Sequence, residues 1–441
     1  MKRLLSLLLC AVLALFCATT AQAAGVSITL TASEYALHYA FDAGAQDPFV
    51  ILEYATPAEK GWMMLYSADG RFEGDIALAY SGAGGKTSVA LTSARTTGSI
   101  GKTSTTLPKA VDYQKPTGKS NAKVMDFVLT ETPEGFHYAF NAAGTDYMLL
   151  YWRSKEQTVT QPVYPDENGH YEGDVISDLT FARTQFTVQV KSGSGSMKKE
   201  ATVRKGYQAP EAPQRQEGRL SGVTVCIDAG HQENGRFVNE PIGPGLTGST
   251  SGKGGMAQGT KTNRRESIVC LEIGMLLRDE LLRQGANVVM TREDQTTFHT
   301  NIERCEIAEA GGAQIMLRLH CNNSSNHSKR GIQVYGPLNS DYAKAVADAD
   351  TYREMGQKLL DAMKTRVGMT LANSTGMVRL NDNYVGNNWA KMMCFLVEMG
   401  YLSNPAEEYL LVTPVYQQWL AEGMADGVYE IAVARGWVQA Q

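Results

Sequence analysis

The chain has little that would tie it to a membrane or to a polyanion. Past the first seventeen residues no stretch is apolar enough to cross a bilayer, which excludes an internal membrane-spanning helix. Basic residues are not in excess: 41 Lys and Arg stand against 46 Asp and Glu, a formal net charge of −5. A global positive field for nucleic acid is thereby excluded. Cysteine is scarce, seven in 441 residues. Cys10 and Cys17 belong to the amino-terminal apolar run, leaving Cys226, Cys270, Cys305, Cys321 and Cys394. An odd number inside apolar segments reads as small core residues and argues against a disulfide framework.

What is present begins with an address label. Lys2 and Arg3 precede an apolar run from Leu4 to Cys17, and small residues at Ala21 and Ala23 follow. This is the pattern of a secretory signal peptide over 1–23, with cleavage expected after Ala23. The mature chain is then expected outside the cytoplasm, without a stable membrane span.

A tandem repeat follows. LHYAFDA at Leu37–Ala43 returns as FHYAFNA at Phe136–Ala142, and GRFEGDI at Gly70–Ile76 returns as GHYEGDV at Gly169–Val175. Val89 and Leu91 map onto Val188 and Val190 at the same spacing, without gaps. Matched blocks at one offset indicate duplication. Short alternating segments between Gly, Asp and Asn turns predict two all-β, sandwich-like repeats, 24–107 and 124–206. Stretches rich in Pro, Lys and Gln predict flexible linkers at 108–123 and 207–219. His38 and His137 are matched strand positions rather than metal ligands. Tyr35, Tyr39, Tyr138, Tyr147, Tyr151 and Trp152 read as sandwich core before they read as a sugar-binding face.

From Val223 the pattern changes to strands alternating with helices, which predicts one α/β domain over 220–441, its mostly parallel twisted sheet flanked by helices. VTVCID is the first strand, Arg265–Arg283 the first helix, Asn287–Thr291 the second strand and Ile302–Ala310 the next helix. Gln314–His320 and Met393–Glu398 are further strands, Ile332–Tyr335 an edge strand, and Asp341–Thr365 one long helix. Pro405–Leu411 and Val415–Ala434 close the chain. Four polar residues fall on one rim of that sheet: His231 after the first strand, His320 and Glu398 at strand ends, and Glu266 in the first helical turn. Two imidazoles and a carboxylate suit Zn²⁺ and leave a fourth position for water, while a further carboxylate could take that water's proton.

IDAGHQENG, NEPIGPG, the helix opened by Glu266, RLHCNNSS with GIQVYG, NNW and LVEMGYLSNPAEEYLL together resemble the zinc-dependent N-acetylmuramoyl-L-alanine amidases of bacterial cell walls. The resemblance runs in order through about 222–437 and does not reach the repeats. It implies that His231, Glu266 and His320 hold zinc and that Glu398 is the catalytic acid/base. It implies peptidoglycan as substrate, cut at the amide between N-acetylmuramic acid and L-alanine, by a protein secreted or held at the wall. The repeats would then position the enzyme on a wall polymer or protein partner. A zinc peptidase cutting within stem peptides, or a non-catalytic wall-binding protein, are the competing functions.

Several neighbours need a role. Glu272 rivals Glu266 as a ligand, although the resemblance places Glu266 in register. Cys321 should face away from His320, and His327 reads as a loop histidine. Arg292, Asp294 and Arg304 read as ion pairs at the rim. Asn388 and Trp389 either border a peptide groove or pack. The glycine-rich Gln232–Asn263 loop is expected to be mobile.

Overall fold

The computed structural model describes residues 18–21, 25–33, 36–56, 60–77, 84–95, 98–109, 119, 121–132, 135–145, 147–153, 158–176, 184–205, 209–232, 238–250, 256–367 and 377–440. Most of the expected leader therefore lies outside the described residues, as do 110–118 and 120 of the expected first linker and 207–208 of the second.

The amino-terminal half is built from antiparallel sheets. One sheet orders β1 (Ala18–Ala21), β2 (Ile28–Ala32), β3 (Ala36–Asp42) and β6 (Arg71–Ala77). Its companion orders β5 (Lys60–Tyr66), β4 (Phe49–Ala55), β7 (Gly85–Ser93) and β8 (Ser99–Leu107). A second unit pairs β13 (His170–Ile176), β10 (Gly135–Ala142) and β9 (Val124–Thr132). Its other sheet orders β12 (Thr158–Val163), β11 (Met148–Arg153), β14 (Thr184–Ser192) and β15 (Met197–Lys205). Alternation buries one face of each strand between the sheets: Leu30, Phe41, Leu52 and Leu91 in the first unit, Phe140, Leu150, Trp152 and Val190 in the second. Tyr39 and Tyr138 are buried in the same cores, whereas Tyr35 lies outside the described residues. The sequence alignment slips by one residue here. Val50 faces Ser93 and Leu52 faces Leu91, as Met148 faces Ser192 and Leu150 faces Val190.

The carboxyl-terminal half holds one mixed sheet, order β19-β16-β20-β23-β21-β22. Its strands are β16 (Thr224–Ala229), β19 (Asn287–Met290), β20 (Ile315–Asn322), β21 (Gln333–Gly336), β22 (Met377–Leu380) and β23 (Met393–Tyr401). β16, β19, β20 and β23 run parallel, β21 is antiparallel to β23, and β22 is parallel to β21. The helices are α1 (Glu266–Arg283), α2 (Asn301–Ala310), α3 (Asp341–Val346), α4 (Ala349–Val367), α5 (Val385–Trp389), α6 (Pro405–Leu411) and α7 (Pro414–Ala434). A short ribbon, β17 (Glu240–Pro241) with β18 (Ser249–Thr250), crosses the loop after β16.

Three local readings change. β21 is an interior strand, because β22 takes the edge beyond it. The long helix expected over Asp341–Thr365 is two, since Ala347 is extended and the Asp348 carboxylate accepts the Thr351 N–H at 2.8 Å to start α4 afresh. The second linker is not a free tether: Gln216 N–H donates to the Leu282 carbonyl at 3.0 Å, and Arg215 and Arg278 donate to the Gly285 and Pro210 carbonyls.

The first β unit is also docked. Val50 and Leu52 face its own core, so Phe49 and Ile51 face outward, yet both are buried. The Phe49 ring lies 5.8 Å from Tyr416 and 5.3 Å from Trp419 on α7, and Trp62 lies 4.2 Å from Tyr409 on α6. Ile51 and Met64 pack with Ala406 and Tyr409.

Candidate metal centre and active site

The site forms where β16, β20 and β23 end and α1 begins. β16 and β20 are buried on both faces, which fixes their carboxyl ends in depth. After Ala229 the chain turns sharply, with His231 at φ 55°. That left-handed conformation costs a non-glycine residue about 1–3 kcal/mol and persists only where its surroundings determine it. Here two guanidinium groups do so. Arg292 donates to the Ala229, Gly230 and Ser267 carbonyls at 2.7–2.8 Å. Arg304 donates to the Ala229 and His231 carbonyls at 2.9 and 3.2 Å. Gly230 is required as well, because a Cβ would stand 2.6 Å from the His320 ring.

Asp228, fully buried, anchors this cluster. It pairs with Arg304 and, at 2.9 Å, with Arg318. Burial alone would raise its carboxyl, but the two guanidiniums outweigh that and hold it well below the usual carboxylate range.

Glu266 receives both histidines. Its Oε1 lies 3.1 Å from His231 Nε2 and 3.0 Å from His320 Nδ1, and accepts the Cys321 N–H at 3.0 Å. Oε2 accepts the Ala257 N–H at 2.8 Å. Burial works against ionisation here too, but the hydrogen bonds from His231 and then His320 keep the carboxyl low. Burial lowers His320. One ligand atom from each of the three residues lies within 4.8 Å of the others, and no other such group gathers among the described residues. His320 Nε2 is buried without a hydrogen-bond partner. Two imidazoles and a carboxylate around an unsatisfied nitrogen are a donor set that fits a borderline divalent cation such as zinc.

Glu398 stands beside them, its Cα paired with that of His320 across the β20–β23 ladder. Burial, and then the Glu266 charge, push its carboxyl up to about 8. Its Oε2 is buried and unpartnered. A carboxyl raised by burial next to one held ionised is the usual arrangement for dividing proton transfer from charge stabilisation.

The neighbours sort cleanly. Glu272 is away from the site, bonded to Arg264 and, at 2.9 Å, to Gln417. Cys321 is buried against Cys270. His327 is an exposed loop residue. Arg304 is ion-paired as expected, whereas Arg292 serves carbonyls and Asp294 accepts from Thr296 and Thr297. Asn388 and Trp389 donate to the Ile242 and Pro241 carbonyls at 3.0 and 2.8 Å, pinning NEPIGPG. Of the loop expected to be mobile, 233–237 and 251–255 lie outside the described residues, and Ile242 and Leu246 in the remainder are hydrogen-bonded. Sequence reasoning missed Arg318 and Glu240. Glu240 accepts the Asn301 and Ile302 N–H groups at 3.2 and 2.8 Å and so caps α2, which carries Arg304.

Residues 225–430 match the sequence model of the N-acetylmuramoyl-L-alanine amidase family. The carboxyl-terminal domain belongs to that family. The amidase domain is 26% identical over 231 residues to a germination-specific N-acetylmuramoyl-L-alanine amidase of Bacillus subtilis, covering 49% of this chain and 83% of that protein. It is 27% identical over 218 residues to the Staphylococcus aureus protein named "Probable cell wall amidase LytH", covering 48% of this chain and 60% of that one. Solved structures similar to it include an N-acetylmuramoyl-L-alanine amidase from Clostridium difficile 630, 24% identical, covering 48% of this chain and 96% of that one at TM-score 0.38. Another is the amidase Ami1 from Mycobacterium smegmatis, 18% identical, covering 49% and 99% at TM-score 0.43.

Proposed function

We propose that this chain is an exported, zinc-dependent amidase that hydrolyses the bond between N-acetylmuramic acid and the L-alanine of peptidoglycan stem peptides. The observation that carries the reading is the convergence of His231, Glu266 and His320 on one point, with the buried Glu398 carboxyl alongside. Those three residues would hold the metal. Zinc bound there supplies a Lewis acid and makes water ionisable near neutral pH. Glu398 takes the proton of the attacking water and passes it to the leaving amine. In the metal-free site Glu266 is already held ionised by hydrogen bonds from both imidazoles, and Arg292 and Arg304 keep His231 in its turn.

Export is supported by the leader pattern, and no helix of the described residues is long and apolar enough to cross a membrane. Arrangement as two β repeats and an amidase domain, 24–107, 124–206 and 220–441, is part of the same reading. The repeats would bring the enzyme to a wall polymer or a protein partner.

The test is digestion of purified peptidoglycan with zinc-loaded and chelated protein. Zinc-dependent release of intact peptides beginning with L-alanine is expected. Peptides cut within the stem would instead indicate a peptidase, and no release at all a binding protein.

A further inference from the structure

We infer that the first β unit is part of the substrate-binding surface: the cleft between it and the amidase domain holds a short peptide bearing both an acidic and an amino group. A cavity of about 270 Å³ opens between the two bodies. Ile51 and Glu53 of β4 and Thr92 of β7 form one wall, and Lys261, His327 and Tyr409 stand across from them.

The amidase wall is made of the two segments that lead to and from the metal-site residues. Lys261 lies in the turn that runs into α1 and Glu266. Its backbone N–H donates to both Glu408 oxygens, at 3.1 and 3.0 Å, which fixes the turn while the residue stays exposed. His327 lies in the loop leaving β20 after His320, held where the Asn404 side chain donates to its carbonyl at 2.9 Å. Both segments belong to the loops at the carboxyl ends of the strands, the end of the domain that carries the candidate site, although the cavity lining includes none of the four site residues. On the opposite wall Glu53 pairs with Trp62 in the β4–β5 ladder, and the Trp62 ring packs on Tyr409. Glu53 is exposed and lines the cavity.

The lining selects its occupant by sign. Glu53 offers an acceptor for an ammonium group and Lys261 a donor for a carboxylate, on opposite walls, with Ile51 and Tyr409 as apolar floor. Charges so divided orient a ligand and discriminate between candidates more than they add raw affinity. The volume lies just below the range of about 300–1,000 Å³ that holds drug-sized molecules, so only a short segment fits. With the amidase reading, on which the identity of the ligand rests, that segment is the part of the stem peptide beyond its first alanine.

Calorimetry of the full metal-loaded chain with free L-alanyl-D-isoglutamyl-L-lysine tests this without requiring turnover. Glu53→Gln and Lys261→Met should each weaken binding about tenfold, the scale of a lost hydrogen bond to a charged group. A tripeptide analogue with its carboxylates amidated and amines acetylated should be indifferent to both changes. The double charge reversal, Glu53→Lys with Lys261→Glu, should recover much of the loss. Absence of tripeptide binding to the wild type, or equal binding by wild type and single variants, would overturn the proposal. Wild-type protein that binds the tripeptide but releases nothing from peptidoglycan would sink the amidase reading and leave the cleft standing.

Discussion

Glu266 and Glu398 share a rim and a low-dielectric setting, yet their surroundings drive them apart. Glu266 has two imidazoles and two backbone N–H groups, so burial does not neutralise it. Glu398 has burial and a neighbouring negative charge, and rises to about 8. Glu398→Gln keeps the shape but cannot exchange a proton, so zinc content should hold while turnover falls by about a hundredfold or more. Near-normal turnover in that variant would move the proton to another group. His231→Ala and His320→Ala should lose metal and activity together; full zinc occupancy by mass spectrometry in both would refute the ligand set.

A linkage effect belongs to the same residue. In metal-free protein, folded Glu398 binds its proton up to about pH 8, whereas in the unfolded chain it releases it near the ordinary value of 4.5. The folded state therefore binds more protons across that window, and its stability falls as pH rises through it. Glu398→Gln removes this slope. Urea unfolding of chelated protein should find the variant more stable than wild type at pH 8 by on the order of 1–3 kcal/mol, with little difference at pH 4.5. Parallel pH profiles would show that Glu398 ionises freely.

At the scale of elements, the rim is set by strands that end together and by a turn held from outside. Arg292 is the main brace, with four carbonyls on one guanidinium. Arg292→Ala removes a buried donor from each of them; Ala229 keeps Arg304 and Ser267 keeps Gln295, while Gly230 loses its guanidinium, and the change should cost about 1–3 kcal/mol. It should also weaken zinc binding in a titration against a competing chelator. Arg292→Lys, a point charge without the fork, should recover only part of the loss. Unchanged zinc affinity in Arg292→Ala would mean that His231 keeps its turn unaided.

Much of this arrangement was legible in the chain. The alternation of VTVCID, the apolar runs before His320 and Glu398, and the helix opened by Glu266 put four polar residues on one rim by pattern alone. Other parts depend on contacts that no local pattern encodes. β22 is four residues long and takes its place only by pairing with β21. Arg318 looks like any strand residue until Asp228 is opposite it. The role of Glu240 requires that α2 start beneath it. One signal was available and is easily passed over: Phe49–Leu52 is apolar at every position, which is the mark of a strand buried on both faces rather than on one.

For the molecule as a whole, that run makes the first β unit a partner of the amidase domain. Phe49→Ala would leave a hole between Tyr416 and Trp419 and should cost about 3–5 kcal/mol if docking and folding are coupled. Thermal unfolding checks it: one transition shifted downward is the coupled outcome, and a split into two transitions would show that the bodies melt separately. Removing the unit altogether, as in a chain beginning at Leu220, would bare Tyr409, Tyr416 and Trp419 and promote association.

The spacing of the three metal-site residues carries a kinetic consequence. His231, Glu266 and His320 come from a turn, a helix and a strand, and the last two stand 54 residues apart in the chain. Parallel pairing of β16 with β20 must be in place before they meet, and such non-local closure comes late in folding. A metal ion held by them would therefore be unable to template the early steps and would act as a latch on a finished sheet. Refolding should proceed at nearly the same rate with zinc or with chelator, while unfolding slows markedly in zinc, as stopped-flow chevrons in the two buffers would display.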